Sequence, residues 1–404
     1  MISFEPSEDQ QLILGTVADF TRASVAPRAR EVEGARAVSD DVRRAVAEMG
    51  LGAAHVPEAL GGQGLGLLTA ALINEELGFG DAATCFGLPA FGSFSYAVLE
   101  LASEEQARAL LAPLCDPSRG DAFASVAWSE RAVNRERAGF TTLATPVDGG
   151  FELTGRKCFV QNVELAERFV VFAQVEAERG WDGLGAFVVS KGDAGVSVGE
   201  RHRTLGVDCG NFAELGLEKV RVASSERLMG GSDFTRATLR FFAKYSLIVA
   251  ARQVGLGRAA FDVAREYCDI RKAFGKPIGH FQAVAFTLAD RHMDVESARE
   301  MVRRAAWMWD AGKDDAACLL ATAHAAAHAH EVAMRAADDA VQLHGGAGFM
   351  RDVIVEKMMR DAKQMSLVGM TPEQLDQLAA RITTGQPLDA GAVLPTPETQ
   401  AIFT

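Results

Sequence analysis

Apolar residues along this chain keep one period, abandon it, and then resume it. From Ser7 to about Leu114 they recur at helix spacing, beginning with Ile13, Val17 and Phe20 behind a Ser7/Gln10 capping box. Between about Asp121 and Gly231 the pattern changes to short β-rich runs, "GFELTGRKCFV", "RFVVFAQV", "GAFVVSK", "AGVSVGE" and "AELGLEKVRV", separated by turns rich in Gly, Asp and Asn. Helix spacing returns near Phe234. Val284, Leu288, Val295, Val302 and Trp309 then share one helix face, and an alanine-rich helix follows from about Asp314 to Leu343. A chain that switches period twice predicts an α+β multidomain protein: an N-terminal helical domain (1–120), a middle antiparallel β-barrel (121–232) and a C-terminal four-helix bundle (233–404).

The bulk numbers exclude several functions. With 404 residues and 48% hydrophobic content the chain can bury a large core. A net charge of −13 offers no basic footprint, so no nucleic-acid partner is expected. Cys85, Cys115, Cys158, Cys209, Cys268 and Cys318 are scattered, without C-x-x-C pairs, which suits a reducing compartment. No uncharged apolar run reaches the ~18 residues of a membrane span, and "MISFEPSEDQ" lacks the layout of a signal peptide, so a cytoplasmic protein is expected. "GGQGLG", Gly61–Gly66, reads as a loop between helices, because no strand precedes it. His324, His328 and His330 invite a metal test, but only Glu331 is near enough to add to the set. No metal is expected; such histidines usually sit at solvent or interface positions.

The joint pattern of "VPEALGGQGLG…NEELG", "FELTGRKCFVQN", "TLGVDCGNFAELGLEKVRV", "RKAFGKPIGHFQAVAFTLAD" and "AVQLHGGAGFMRDVIVEKMMRDAK" resembles the acyl-CoA dehydrogenase family over nearly the whole chain. The resemblance implies FAD in a cleft between the β-domain and the C-terminal bundle, with its adenine half reaching a neighbouring subunit of a homodimer or homotetramer. It also implies an acyl-CoA or acyl-carrier-protein substrate and an electron-transfer partner or O2. Matching residues on the adenine and pyrophosphate side are Arg271, Phe274, Gln282, Gln342, Gly345, Gly346 and Thr371. On the ring side they are Trp128, Ser129, Phe159 and Gln161.

The ring side departs from the family. The usual T-E-x-x-x-G-S-D run is Ser129-Glu130-Arg131-Ala132-Val133-Asn134-Arg135-Glu136, and Trp-Ile-Thr-Asn becomes Phe159-Val160-Gln161-Asn162. From Gln364 to Pro372 the chain is uncharged, and in "SLVGMT" Gly369 stands where the resemblance places the base that takes the substrate α-proton. Ser246 replaces an arginine found near that base. Tyr245 matches the other position from which members supply a base, Glu373 is the nearest carboxylate, and His344 belongs to the cofactor run. Gly369 retains its backbone N–H, which the resemblance assigns to the thioester carbonyl, and a glycine there is expected to leave space beside the flavin. Three functions follow: an acyl-thioester dehydrogenase with a non-standard site, a flavin oxygenase or oxidase on the same fold, or a catalytically weak partner subunit.

Overall fold

The computed structural model describes residues 5–131 and 139–394. Six helices open the chain: α1 (Glu8–Phe20), α2 (Ala29–Ala35), α3 (Asp40–Glu48), α4 (Gly66–Asp81), α5 (Phe94–Leu101) and α6 (Glu104–Cys115). Ser7 and Gln10 form the expected capping box on α1, and Ser103 with Gln106 forms a second on α6. Gly61–Gly66 is the turn leading into α4, whose first backbone N–H groups, those of Leu67 and Leu68, are taken by the two Asp310 oxygens at 2.7 and 2.8 Å. A side-chain carboxylate therefore fills the anion position at this helix start.

The middle of the chain forms β1 (Ala124–Ala127), β2 (Leu143–Val147), β3 (Gly150–Val160), β4 (Arg168–Gln174), β5 (Leu184–Ser190), β6 (Val196–Val198), β7 (Ala213–Ala223) and β8 (Arg227–Leu228), in the order β6-β7-β3-β2-β4-β5-β8. Most pairs are antiparallel, as expected. β1, however, runs parallel to β4, from Ala124↔Arg168 to Ala127↔Val171, and β2 meets β4 in parallel at Leu143↔Gln174, so the sheet is mixed. β1 enters from the helical domain rather than from a hairpin, which leaves its direction free of hairpin geometry. Residues alternating inward from these strands, among them Leu153, Phe169, Val171, Phe187, Leu215 and Val220, form a core of their own.

Then come α7 (Phe234–Ile270), a two-strand ribbon of β9 (Lys272–Ala273) and β10 (Lys276–Pro277), α8 (Gln282–Asp310), α9 (Asp315–Leu343), α10 (Val355–Met365) and α11 (Pro372–Thr383). Asp314 caps α9, as its predicted start implies. α9 lies among α7, α8, α10 and α11. Its alanines, including Ala325, Ala329, Ala333, Ala336 and Ala340, are buried and admit close helix approach. α7 and α4 cross as tightly: a Cβ on Gly78 would meet the Arg252 carbonyl at 2.6 Å, and one on Gly255 the Glu75 carbonyl at 2.1 Å. The three histidines of α9 part company: His328 bonds Ser297 Oγ at 2.8 Å, whereas His330 is buried against Gln253 rather than placed at a solvent position.

Charged groups buried between the units fix them together. Lys357 of α10 joins Asp81 of α4 and its own-helix Asp361, which accepts the Val207 N–H of the β-domain at 2.8 Å. Every lone pair used there is answered by a donor, as a buried ion cluster requires.

Candidate functional site

Where the β-domain faces the C-terminal bundle there is a cleft of about 180 Å³. Val126, Trp128 and Ser129 line it from the end of β1, Phe159 and Gln161 from the end of β3, Phe212 from the start of β7, and Gln364, Leu367 and Val368 from α10 and the segment after it. Ser93, from the helical domain, completes the wall. Phe212 belongs to the "TLGVDCGNF" stretch, and Gln364, Leu367 and Val368 to the uncharged run before Pro372; Ser93 and Val126 carry no motif signature, and only the folding of three units around one opening brings them in.

Each ring-side residue has a local reason for its place. Pairing of β3 with β7 shifts register between Lys157 and Val160, and Phe159 sits in that irregularity with φ +52°. Its ring is thereby turned outward, 58% exposed, beside His202 at a centroid distance of 5.2 Å. Trp128 is wedged edge-on against Phe242 at 5.3 Å and Phe241 at 6.4 Å. The Ser129 carbonyl accepts the Cys158 N–H at 2.9 Å, stitching β1 to β3.

Beneath them lies a buried ion pair. Lys157 Nζ donates to Glu130 Oε1 at 2.7 Å and to the Trp128 carbonyl at 3.3 Å, and rests 3.7 Å from the Phe140 ring centroid. Burial pushes the ammonium down to about 8, against the pull of Glu130. Burial alone would raise Glu130, but the Lys157 charge and hydrogen bonds from Lys157, Thr141 and Thr142 hold it below the usual carboxylate range. The later part of the Ser129–Glu136 run, from Ala132, lies outside the described residues.

Val368 lines the cleft, and Gly369 follows it, buried and with φ +77°. The space expected beside this glycine is already filled. A Cβ built there would meet Ser246 Oγ at 2.9 Å, and that oxygen accepts the Met370 N–H at 3.0 Å. Among the described residues the Gly369 N–H has no hydrogen-bond acceptor.

The other base candidates stand apart from the cleft lining. Tyr245 is fully buried behind Gln161, its hydroxyl 3.2 Å from Gln161 Oε1, and burial raises it above the usual phenol range. Glu373 is exposed on the first turn of α11, lowered by its own backbone N–H and the Thr371 hydroxyl. His344 is stacked on Tyr267 at 4.2 Å, with Nδ1 against the Ala340 carbonyl at 2.7 Å.

That Tyr267–His344 stack joins the ends of α7 and α9, which brings Arg271 to the same end of the bundle as Gly345 and Gly346. Neither glycine has an atom within 4 Å of where a Cβ would stand, so the backbone there is an open cradle. Phe274, at the tip of the β9–β10 ribbon, is 98% exposed. Thr371 caps α11 through a capping box with Gln374. Gln282 opens α8 and Gln342 lies in the last turn of α9.

These residues fit FAD as two half-sites. The cleft offers aromatic walls and neutral hydrogen-bonding groups to a flavin ring. Arg271 would give the pyrophosphate a charged fork, and Gly345 and Gly346 a close backbone approach. The second set does not line the first cleft.

Three family models match the chain in order: the acyl-CoA dehydrogenase N-terminal domain over residues 7–117, the middle domain over 125–220 and the C-terminal domain over 235–383. The chain is 32% identical over 379 residues to a probable acyl-CoA dehydrogenase, YngJ, of Bacillus subtilis (strain 168), covering 92% of this chain and 97% of that one. It is 33% identical over 383 residues to the cyclohex-1-ene-1-carbonyl-CoA dehydrogenase of Geobacter metallireducens, covering 95% and 98%. Among solved structures, butyryl-CoA dehydrogenase from Megasphaera elsdenii matches with a TM-score of 0.86 at 28% identity, covering 95% of this chain and 100% of that one.

Proposed function

Because the chain belongs to the acyl-CoA dehydrogenase family, FAD-dependent oxidoreductases acting on CH–CH groups, we propose that it dehydrogenates the α,β bond of an acyl thioester without a carboxylate of its own at the α-carbon. The observation that carries this reading is the cleft wall: among the described residues, none of the ten that line it has a titratable side chain. When bound, FAD supplies the hydride acceptor. The chain's own part is to hold the thioester and stabilise negative charge on the carbonyl oxygen. The Gly369 N–H, which has no acceptor among the described residues and lies one residue beyond the cleft-lining Val368, is the donor we assign to that oxygen.

With no side-chain base among the described residues of the wall, the α-proton leaves to water, so the substrate is a CoA or carrier-protein thioester whose α-C–H is already acidified by a neighbouring group. Exposed Ile270 and Phe274 beside the adenine-side residues support a homodimer or homotetramer in which one chain completes its neighbour's FAD site.

Anaerobic mixing of the FAD-loaded protein with two thioesters tests the reading. A thioester with an acidified α-C–H is expected to bleach the flavin and yield the enoyl thioester, whereas butyryl-CoA is expected to leave it oxidised. Equal bleaching by both would show that a base is present. Oxygen-dependent formation of an oxygenated product would replace dehydrogenation with oxygenase chemistry, and inertness until a homologous chain is added would mark a partner subunit.

A further inference from the structure

Gln161 stands at the inner wall of the cleft, and its amide is held from two sides. Nε2 donates to the Phe86 carbonyl at 2.9 Å. A carbonyl only accepts, so the amide nitrogen must face Phe86 and Oε1 must face away from it. There Oε1 meets the Tyr245 hydroxyl at 3.2 Å; an amide oxygen also only accepts, so Tyr245 is the donor and its proton is committed. The Phe86 carbonyl takes Asn162 Nδ2 as well, at 2.9 Å. Phe86 is fixed in turn beneath the Arg252 guanidinium, 4.9 Å from its ring centroid, which grips the Phe91 carbonyl at 2.6 Å and Asn74 Oδ1 at 2.8 Å. Tyr245 and Phe86 are wholly buried, and Gln161 is nearly so. Gln161 Nε2 carries two hydrogens, only one of which has an acceptor among the described residues.

We propose that Tyr245 is a positioning residue: by donating to Oε1 it locks the Gln161 amide so that the remaining N–H is presented to the cleft as a fixed, neutral donor to the flavin ring. A donor in that place favours the oxidised ring, whose N1 and N5 accept hydrogen bonds. It disfavours the two-electron-reduced ring, which carries an added N–H of its own. Without the Tyr245 hydroxyl the amide loses one of its two anchors and turns, and the ring becomes easier to reduce. The role needs FAD in the cleft but no particular reaction, so it is separable from the dehydrogenation proposed above.

The test is the midpoint potential of the FAD-loaded protein by dye equilibration without substrate, together with its visible spectrum, for wild type, Tyr245→Phe, Gln161→Met and the double variant. Tyr245→Phe is expected to raise the reduced-to-oxidised ratio at a fixed potential about tenfold, about 30 mV for a two-electron couple, with a displaced flavin band. The double variant is expected to match Gln161→Met, because Tyr245 acts only through that amide. A wild-type potential and spectrum in Tyr245→Phe, or single effects that add in the double variant, would overturn the proposal. Should Tyr245→Phe fail to fold, an unchanged potential in Gln161→Met overturns it alone. A general base would behave differently: its removal would abolish a limb of the pH–rate profile and leave the potential where it was.

Discussion

At Gly369 two independent constraints select the same residue. A φ of +77° is comfortable for glycine and costs an L-residue about 1–2 kcal/mol, and Ser246 Oγ lies 2.9 Å from where a Cβ would stand. Gly369→Ala is therefore expected to destabilise the protein by about 1–2 kcal/mol, read from its denaturation midpoint. Gly369→Glu is expected to be stable only at greater cost and to turn butyryl-CoA over only slowly, since its carboxylate would arrive on a displaced backbone. Combining it with Ser246→Ala removes the contact. The double variant should then gain at least about tenfold over the single one, equivalent to about 1.4 kcal/mol at the transition state. The absence of a carboxylate here was readable from alignment with "RDAK". The resemblance also set Ser246 near this position, but not the crowding: Ser246 lies 124 residues before Met370, and its Oγ takes the Met370 N–H beside the glycine only in the folded chain.

Among elements, the joint between β1 and β3 governs the shape of the ring-side wall. Lys157 and Glu130 are both fully shielded, so removing one partner strands a charge. Lys157→Met is expected to cost about 3–5 kcal/mol and to weaken FAD binding through the Trp128 carbonyl it releases. Adding Glu130→Gln should recover a large part of the stability, a coupling that a double-mutant cycle measures by chemical denaturation. What was legible at this scale follows range. The α8 face that buries Val295, Val302 and Trp309, the Asp314 cap and the β-rich runs are set by neighbours a few residues apart, and sequence periodicity records them. The parallel β1–β4 pair joins Ala124 to Arg168, and Tyr245 meets Gln161 across 84 residues, distances at which no local pattern exists.

For the molecule as a whole, a phenylalanine 98% exposed on a ribbon tip is anomalous unless something covers it. Burial of such a side chain is worth about 1.5–3 kcal/mol. Phe274→Ser should therefore weaken self-association and FAD affinity together, by about 10- to 100-fold, seen by sedimentation and by fluorescence titration of released flavin. Loss of neither would leave this surface without a role in assembly. The Asp310 fork on α4 carries a consequence for biosynthesis. The carboxylate that completes this helix is encoded 243 residues after Leu67, so at about 5–20 residues per second the ribosome needs roughly 12–50 s to deliver it. Until then the nascent amino-terminal segment waits with an unfinished, largely apolar helix, a natural client for chaperones at the exit tunnel.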